Sequence, residues 1–166
     1  MKEFAEPDEA RRPDEFRLEE FLPYRLAVAS EIVSRLIFRQ YFGRLGLGIP
    51  EWRLIAAVGQ YGVLSPTTAG ERTSMDKVKV SRAAATLVAR GVLRQSPDPN
   101  DGRGRLLRLT RKGASMYASF APLSQEIESL LAQSITRTEW NALQKALTKL
   151  TEHGHTLMHA AADALD

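Results

Sequence analysis

Residues 64–110 read LSPTTAGERTSMDKVKVSRAAATLVARGVLRQSPDPNDGRGRLLRLT. Ser65 is a good helix N-cap, and Pro66 suits the first helical position behind it. A short helix over TTAGER follows, and Thr73-Ser74-Met75 makes a turn. Asp76 then caps a second helix from Lys77 to about Arg90, which Gly91 ends as a left-handed residue. Val80, Ala84, Leu87 and Val88 form its inward face, and Lys77, Val78, Lys79, Ser81, Arg82 and Thr86 lie on the other side or its edges. Val92–Gln95 reads as a strand, SPDPNDGRG as a turn-rich loop and Arg105–Leu109 as the returning strand, with Thr110 capping the next helix. Two helices at a tight turn followed by a basic-tipped ribbon are the order a chain needs to put one helix into a DNA major groove and a hairpin beside it, in a lobe spanning about residues 50–110 with the helix PEWRLIAAVGQYG. Trp52, Ile55, Ala56 and Val58 are the inward positions of that helix.

Long helices flank the lobe. Residues 20–43 are one, with Pro23 in its first turn. Leu22, Leu26, Ala29, Val33, Leu36, Ile37 and Tyr41 make one apolar stripe; Tyr24, Val28, Ile32, Phe38 and Phe42 make a second. A helix apolar over more than half its circumference needs cover on two sides, one of which a second subunit would supply. Residues 111–134 place Met116, Phe120, Leu123, Ile127 and Leu130 on a narrow seam, with Pro122 expected to kink the helix. Thr136 and Glu139 form a capping box, and Trp140, Leu143, Leu147, Leu150, Gly154, Leu157 and Ala161 continue a second seam through residues 137–165. At about 36 and 43 Å, these two helices outreach a core of this size, so a second chain is expected along them. The fold class is mainly α with a small β component: an acidic arm over 1–19, flexible in isolation and carrying Phe4 and Phe16, then a single domain over 20–166.

Charge separates the lobe from its frame. Residues 65–113 carry eleven basic and four acidic groups, net +7, whereas residues 1–20 are net −4 and 114–166 net −3. A basic block between acidic flanks is the footprint of a phosphate-binding face. The absence of Cys excludes disulfides, thiolate zinc sites and thiol chemistry. No apolar run approaches the roughly 18 residues of a membrane span, and the acidic start is not a targeting signal, so a cytoplasmic protein is expected. G-x-S-x-G, phosphate-loop, H-E-x-x-H and dinucleotide-binding patterns are absent, so no enzyme and no cofactor are expected.

The second helix has the chemistry to read DNA. Its first turn presents Lys77, Val78 and Lys79, with Ser81 and Arg82 behind them. A major groove admits one helix, whose N-terminal residues reach base edges. Lys and Arg donate to guanine or hold phosphate, Ser does either, and Val78 fits against a thymine methyl. Ser65 and Thr67, at the start of the shorter helix, complete the candidate contacts on this pair. In the ribbon, Asp98 and Asp101 can hold Arg103 extended for a narrow minor groove, and Arg105, Arg108 and Arg111 follow as phosphate contacts. A basic solvated helix and an ordinary polar turn are the bland explanations of each part alone. Their adjacency and shared charge sign favour the joint reading.

This stretch resembles the MarR (multiple antibiotic resistance regulator) family, dimeric winged helix-turn-helix transcription factors, over roughly residues 20–160. MDKVKVSRAAATLVARGVL is similar to the family's recognition helix, with Asp76, Val80, Ser81, Arg82, Leu87 and Gly91 in matching places. The family's wing pattern D-x-R-D-x-R is met by Asp98, Asp101 and Arg103, while Asn100 replaces its first arginine. The resemblance implies a repressor that binds a pseudo-palindromic operator in double-stranded DNA as a homodimer and is released by a small effector. It implies that the helices over about 20–43 and 111–165 build the dimer. It also implies an effector site between dimer helices and lobe, to which Tyr24, Arg25, Arg39, Tyr41 and Phe42 could give aromatic walls and an anion partner. FLPYRLAVAS followed by MDKVKVSRA is similar to the subgroup controlling aromatic-compound catabolism, whose signal is an aromatic acid or its coenzyme A thioester.

Two other readings use the same residues. His153, His155 and His159, with Glu152 or Asp163 near, could make a zinc-responsive regulator of the same fold, although a solvated helix end explains three histidines and no metal site is assigned. A helical adaptor whose basic lobe binds an acidic protein shares the seams but predicts no sequence preference for DNA.

Overall fold

The structure, a computed structural model, describes residues 16–99 and 101–163, without the side chains of residues 102, 103, 159 and 161–163. Residues 1–15 of the arm, Phe4 among them, and Asn100 lie outside that description. In chain order come α1 (Leu22–Leu45), α2 (Ile49–Tyr61), α3 (Pro66–Thr73), α4 (Lys77–Ala89), β1 (Leu93–Asp98), β2 (Asp101–Leu109), α5 (Arg111–Ala118), α6 (Phe120–Ala132) and α7 (Arg137–Asp163). Before α1, Leu18–Glu20 form a 3-10 turn, and the exposed Phe16 ring meets Phe21 edge-on at 5.6 Å. Among these residues no helix is long and apolar enough to cross a membrane.

The predicted caps form. Ser65 accepts from the Thr68 N–H, Asp76 from the Lys79 N–H, and Thr110 from the Gly113 N–H. Thr136 and Glu139 bond each other's backbone N–H groups reciprocally. Gly91 takes φ +66, the left-handed value that ends α4. At the α3–α4 turn Ser74 also enters the left-handed region, φ 53, and the Met75 N–H reaches back to the Gly70 carbonyl at 3.0 Å. The chain folds so closely there that a Cβ on Gly70 would stand 2.9 Å from the Met75 carbonyl oxygen.

The core sits in the lobe and at the lower end of α1. Leu54, Ile55, Ala57 and Val58 of α2 meet Val80, Ala83, Ala84 and Leu87 of α4, with Val92, Leu93 and Leu107 closing the ribbon side. Leu54, Ala57 and Ala83 therefore join the expected inward set. Val88 leaves it: at 38% exposed, it lies on the rim of the α4 face. Tyr41, Phe120, Leu123 and Ile127 extend the core between α1 and α6.

Three sequence expectations change. The wing loop is shorter than SPDPNDGRG, because the strands run on to Asp98 and begin again at Asp101. Pro97 does not prevent this: both strands of a two-stranded ribbon are edges, where a missing N–H is tolerated, and the register shifts beside it between Pro97 and Asp98. Leu64 adds a third, one-residue strand, exchanging two backbone hydrogen bonds with Leu107. The helix read over 111–134 is broken at Ser119 rather than bent at Pro122. Pro122 cannot donate to the Ala118 carbonyl four residues back, and its ring crowds that carbonyl. The chain responds one turn early, with Ser119 N–H and Oγ both donating to the Met116 carbonyl. Finally, the seam Phe120–Leu123–Ile127 is covered within the chain, leaving Leu130 open. The α7 seam is not: Leu143, Leu147, Leu150 and Leu157 are all exposed, as are Leu22, Tyr24, Ile32, Phe38 and Phe42 on α1.

Candidate nucleic-acid interface

Helix α4 presents its first two turns to solvent. Lys77, Val78, Lys79, Ser81 and Arg82 are all exposed, Val78 at 57%, while Val80 between them is 1% exposed and anchors the helix to the core. The buried positions 80, 83, 84 and 87 fix which arc faces out, so the polar first turn is aimed by packing. Asp76 sets the start of the helix. Hydrogen bonds from the Lys79 N–H and then the Lys79 side chain hold its carboxyl below the usual carboxylate range, and the Lys79 ammonium lies 3.0 Å away. Ser65 is half-buried and occupied with capping α3, its Oγ 3.0 Å from Thr68 Oγ1; Thr67 is exposed beside it.

The ribbon stands beside this helix, held to the start of α3 by the Leu64–Leu107 bridge and to the end of α4 by the short turn at Gly91. Its tip brings Asp98 opposite Asp101, and Arg105 pairs with Pro97. A Cβ on Gly104 would stand 2.9 Å from both the Asp98 Cβ and an Asp101 carboxylate oxygen, so the two acids converge on this turn. Arg103 lies in β2 next to them, its side chain outside the described residues. Arg94 and Arg108 sit directly across from each other, hence on one face of the ribbon. Like charges in that position disfavour the sheet unless an anion neutralises them. Arg108 is one of the phosphate contacts expected from the sequence, whereas Arg94 is not; strand register, which a loop-like reading of 96–104 obscured, is what reveals the pair.

The five residues expected to form an effector site are not brought together within one chain. Tyr24 and Tyr41 are 17 positions apart on α1, about 25 Å along a helix. Tyr24, Arg25, Arg39 and Phe42 are exposed, Phe42 stacking on Phe38 at 5.0 Å. Tyr41 alone turns inward, stacked on Trp52 at 5.2 Å and edge-on to Phe120 at 5.2 Å. It borders a hollow of about 310 Å³ between α1, α2, α5 and α6, lined also by Trp52, Gln60, Tyr117, Phe120 and Ser124. Among the described residues no charged side chain lines it. The Trp52 indole N–H is buried without a partner among the described residues. Aromatic clustering at Trp52, Tyr117 and Phe120 was the signal available in the sequence, but it depends on which helices pack together.

Among the described residues no group of three His, Asp or Glu could hold a metal. His153 and His155 are exposed, and the His159 and Asp163 side chains lie outside the description.

Known proteins place this arrangement. A family model described as "MarR family" matches residues 45–104, from the end of α1 through the helix pair to the wing. The multiple antibiotic resistance protein MarR of Escherichia coli is 24% identical over 115 residues, covering 69% of this chain and 80% of that protein. Over these residues the chain is similar to the MarR family. Its fold is a winged helix-turn-helix. Two solved structures carry the same fold: a mutant E. coli MarR complexed with operator DNA (23% identity, 82% of this chain and 99% of that one, TM-score 0.71), and Bordetella bronchiseptica BpsR, studied for regulation of its DNA binding by 6-hydroxynicotinic acid (24%, 78% and 98%, TM-score 0.72).

Proposed function

We propose that this chain is a MarR-family transcriptional repressor that binds a pseudo-palindromic operator as a homodimer and is released by a small aromatic effector. The observation that carries the reading is the α4 first turn: Lys77, Val78, Lys79, Ser81 and Arg82 are exposed together, aimed by the buried Val80, beside a ribbon bearing Arg94, Arg105 and Arg108. Lys77, Lys79, Ser81 and Arg82 meet base edges and phosphates in the major groove, with Val78 against a thymine methyl. Ser65 and Thr67 contact the backbone near the α3 start. Asp98 and Asp101 pose Arg103 for the adjacent minor groove, and Arg105 holds phosphate. The open apolar faces of α1 and α7, which those of a second copy would cover, support the homodimer. Symmetric pairing of two reading heads gives a pseudo-palindromic site.

For the effector, the hollow at Tyr41, Trp52, Tyr117 and Phe120 offers aromatic walls. An orphaned buried donor costs about 1–3 kcal/mol, so a ligand acceptor reaching the Trp52 N–H would gain affinity there. The uncharged lining suits a ring, with the carboxylate of an aromatic acid, or its thioester extension, left at the opening.

The test is a gel shift on the DNA upstream of the protein's own gene, with a scrambled duplex as control, at moderate salt. Selective retention of the upstream duplex is expected. Equal binding of both would sink the regulator reading and favour the adaptor. Aromatic acids and their coenzyme A thioesters, titrated into the bound complex, are expected to release it.

A further inference from the structure

The last carbonyls of a helix have no partner within the helix. At the end of α1 two of them are taken by one side chain from another element: the Arg90 guanidinium donates to the Gly46 carbonyl at 2.6 Å and the Leu45 carbonyl at 3.1 Å. A cation is favoured at this negative end of the helix dipole, and two forked N–H donors fix direction as well as distance. Arg90 is also the C-cap of α4, its N–H donating to the Thr86 carbonyl. Its own carbonyl accepts from Lys112 Nζ at 2.9 Å, and the next carbonyl, Gly91, accepts from Thr110 Oγ1 at 2.6 Å, both donors at the start of α5. The same end of α1 is gripped from another helix, where Arg44 makes two 2.7 Å hydrogen bonds to the Glu126 carboxylate of α6. That contact raises the Arg44 pKa and lowers that of Glu126.

The covalent link from α1 into the lobe is the short segment Gly46–Leu47–Gly48, whose glycines allow many angles. Leu47 is fully buried and pins position; Arg90 adds direction. We infer that Arg90 is a positioning residue: by bridging the end of the reading helix to the end of α1, it sets the angle between lobe and dimer frame, and so the separation of the two reading helices. The inference rests on the homodimeric DNA-binding reading above. Its leverage is large. Helix α4 is about 20 Å long, so a tilt of about 10° at its Arg90 end swings Lys77 by roughly 3 Å. Arg90 touches no DNA in this scheme; it acts through the placement of α4.

The chain lacks cysteine, so Lys77→Cys gives one nitroxide site per protomer, and double electron–electron resonance on the DNA-free protein reads the distance between the two reading helices. The parent is expected to give one narrow distance distribution. Arg90→Ala is expected to broaden it or shift its mean by several ångströms. Arg90→Lys, which cannot fork across two carbonyls, should fall between. An Arg90→Ala distribution with unchanged mean and width overturns the inference, even if the melting temperature falls, since a purely stabilising role would lower melting without moving the distance. If Arg90→Ala does not fold, Arg90→Lys and Arg90→Gln are judged by the same criterion. A folded parent with no dipolar coupling removes the dimer reading, and the inference with it, an outcome distinct from coupling that is present but unaltered.

Discussion

The steepness of DNA binding with salt follows from the cations on the proposed face. Lys79 already has the Asp76 carboxylate as its counter-ion, so its contact with DNA adds little to the salt dependence, and Arg90 and Lys112 are engaged with carbonyls at the α1–α4–α5 junction. Lys77 and Arg82 on α4 and Arg94 and Arg105 on the ribbon are exposed. Four per protomer make eight in a dimer. Each phosphate neutralised contributes about −0.9 to the slope of log K against log salt, so a slope of about −7 is expected, or roughly a 10⁴-fold loss of affinity between 50 and 200 mM. Arg94→Ala removes two of these contacts per dimer and should bring the slope nearer zero by about 2, with weakening shared by operator and unrelated duplexes. The same substitution relieves the Arg94–Arg108 repulsion, so the free protein should be no less stable. Fluorescence anisotropy with a labelled duplex at four or five salt concentrations measures the slope, and urea unfolding measures stability. A parent slope shallower than about −3 would mean the face is not what meets DNA. An unchanged slope in Arg94→Ala would remove the ribbon's outer face from the interface.

Arg103→Ala should weaken operator binding by about 1–3 kcal/mol, the scale of one good base contact; near-unchanged affinity would end its assignment to the minor groove. Leu107→Ala should cost about 2–5 kcal/mol in urea unfolding at fixed protomer concentration, because Leu107 is fully buried where the ribbon meets the lobe; a loss below about 1 kcal/mol would place the ribbon outside the cooperative unit. Acid should destabilise the fold through Asp76, Glu126 and Glu139, whose folded pKa values all lie below their ordinary ones. The Thr136 hydroxyl and then its N–H lower Glu139, as the Arg44 hydrogen bonds lower Glu126. A depressed carboxyl pKa contributes stability that is complete above the unfolded value, about 4, and is lost as pH falls through the folded one. Melting curves from neutral to acid pH should therefore fall only below that range, and Glu139→Gln should flatten the fall; a parent melting temperature that rises on acidification would contradict the assignment.

Sequence signals that act within a turn or two were legible. Ser65, Asp76, Thr110 and the Thr136–Glu139 box each serve a backbone donor no more than three residues away, so residue type and spacing determine them. The α4 face was legible for the same reason, apart from Ala83, which is buried, and Val88, which lies where the core ends. The wing strands were misplaced because Pro, Asp, Asn and Gly mark turns locally, whereas strand extension there depends on pairing with a partner strand. Pro122 was read as a kink at its own position, but its constraint acts on the carbonyl four residues earlier, which is where α5 ends.

What stayed hidden joins distant parts of the chain. Nothing in the sequence near Arg90 marks it as more than the basic end of a helix. Its role comes from carbonyls 44 and 45 positions away, and the Arg44–Glu126 pair spans 82. Both contacts meet at the last turn of α1, where one side faces the reading helix and the other faces α6. The hollow proposed for the effector lies close to the same framework, since Tyr41 is about one turn before Gly46 and Phe120 is on α6. A ligand that parted Tyr41 from Phe120 would move α1 against α6, and Arg90 would carry that movement to α4. The arrangement therefore gives the proposed effector a mechanical route to the reading helix. Such a route also orders the variants: those at Arg44 or Glu126 should alter effector release more than operator affinity, whereas those at Arg82 should alter affinity and leave the effector concentration for half-release nearly unchanged. Parallel titrations of Glu126→Gln and Arg82→Ala complexes with the same aromatic acid would separate the two, and identical shifts in both would break the proposed link between hollow and helix.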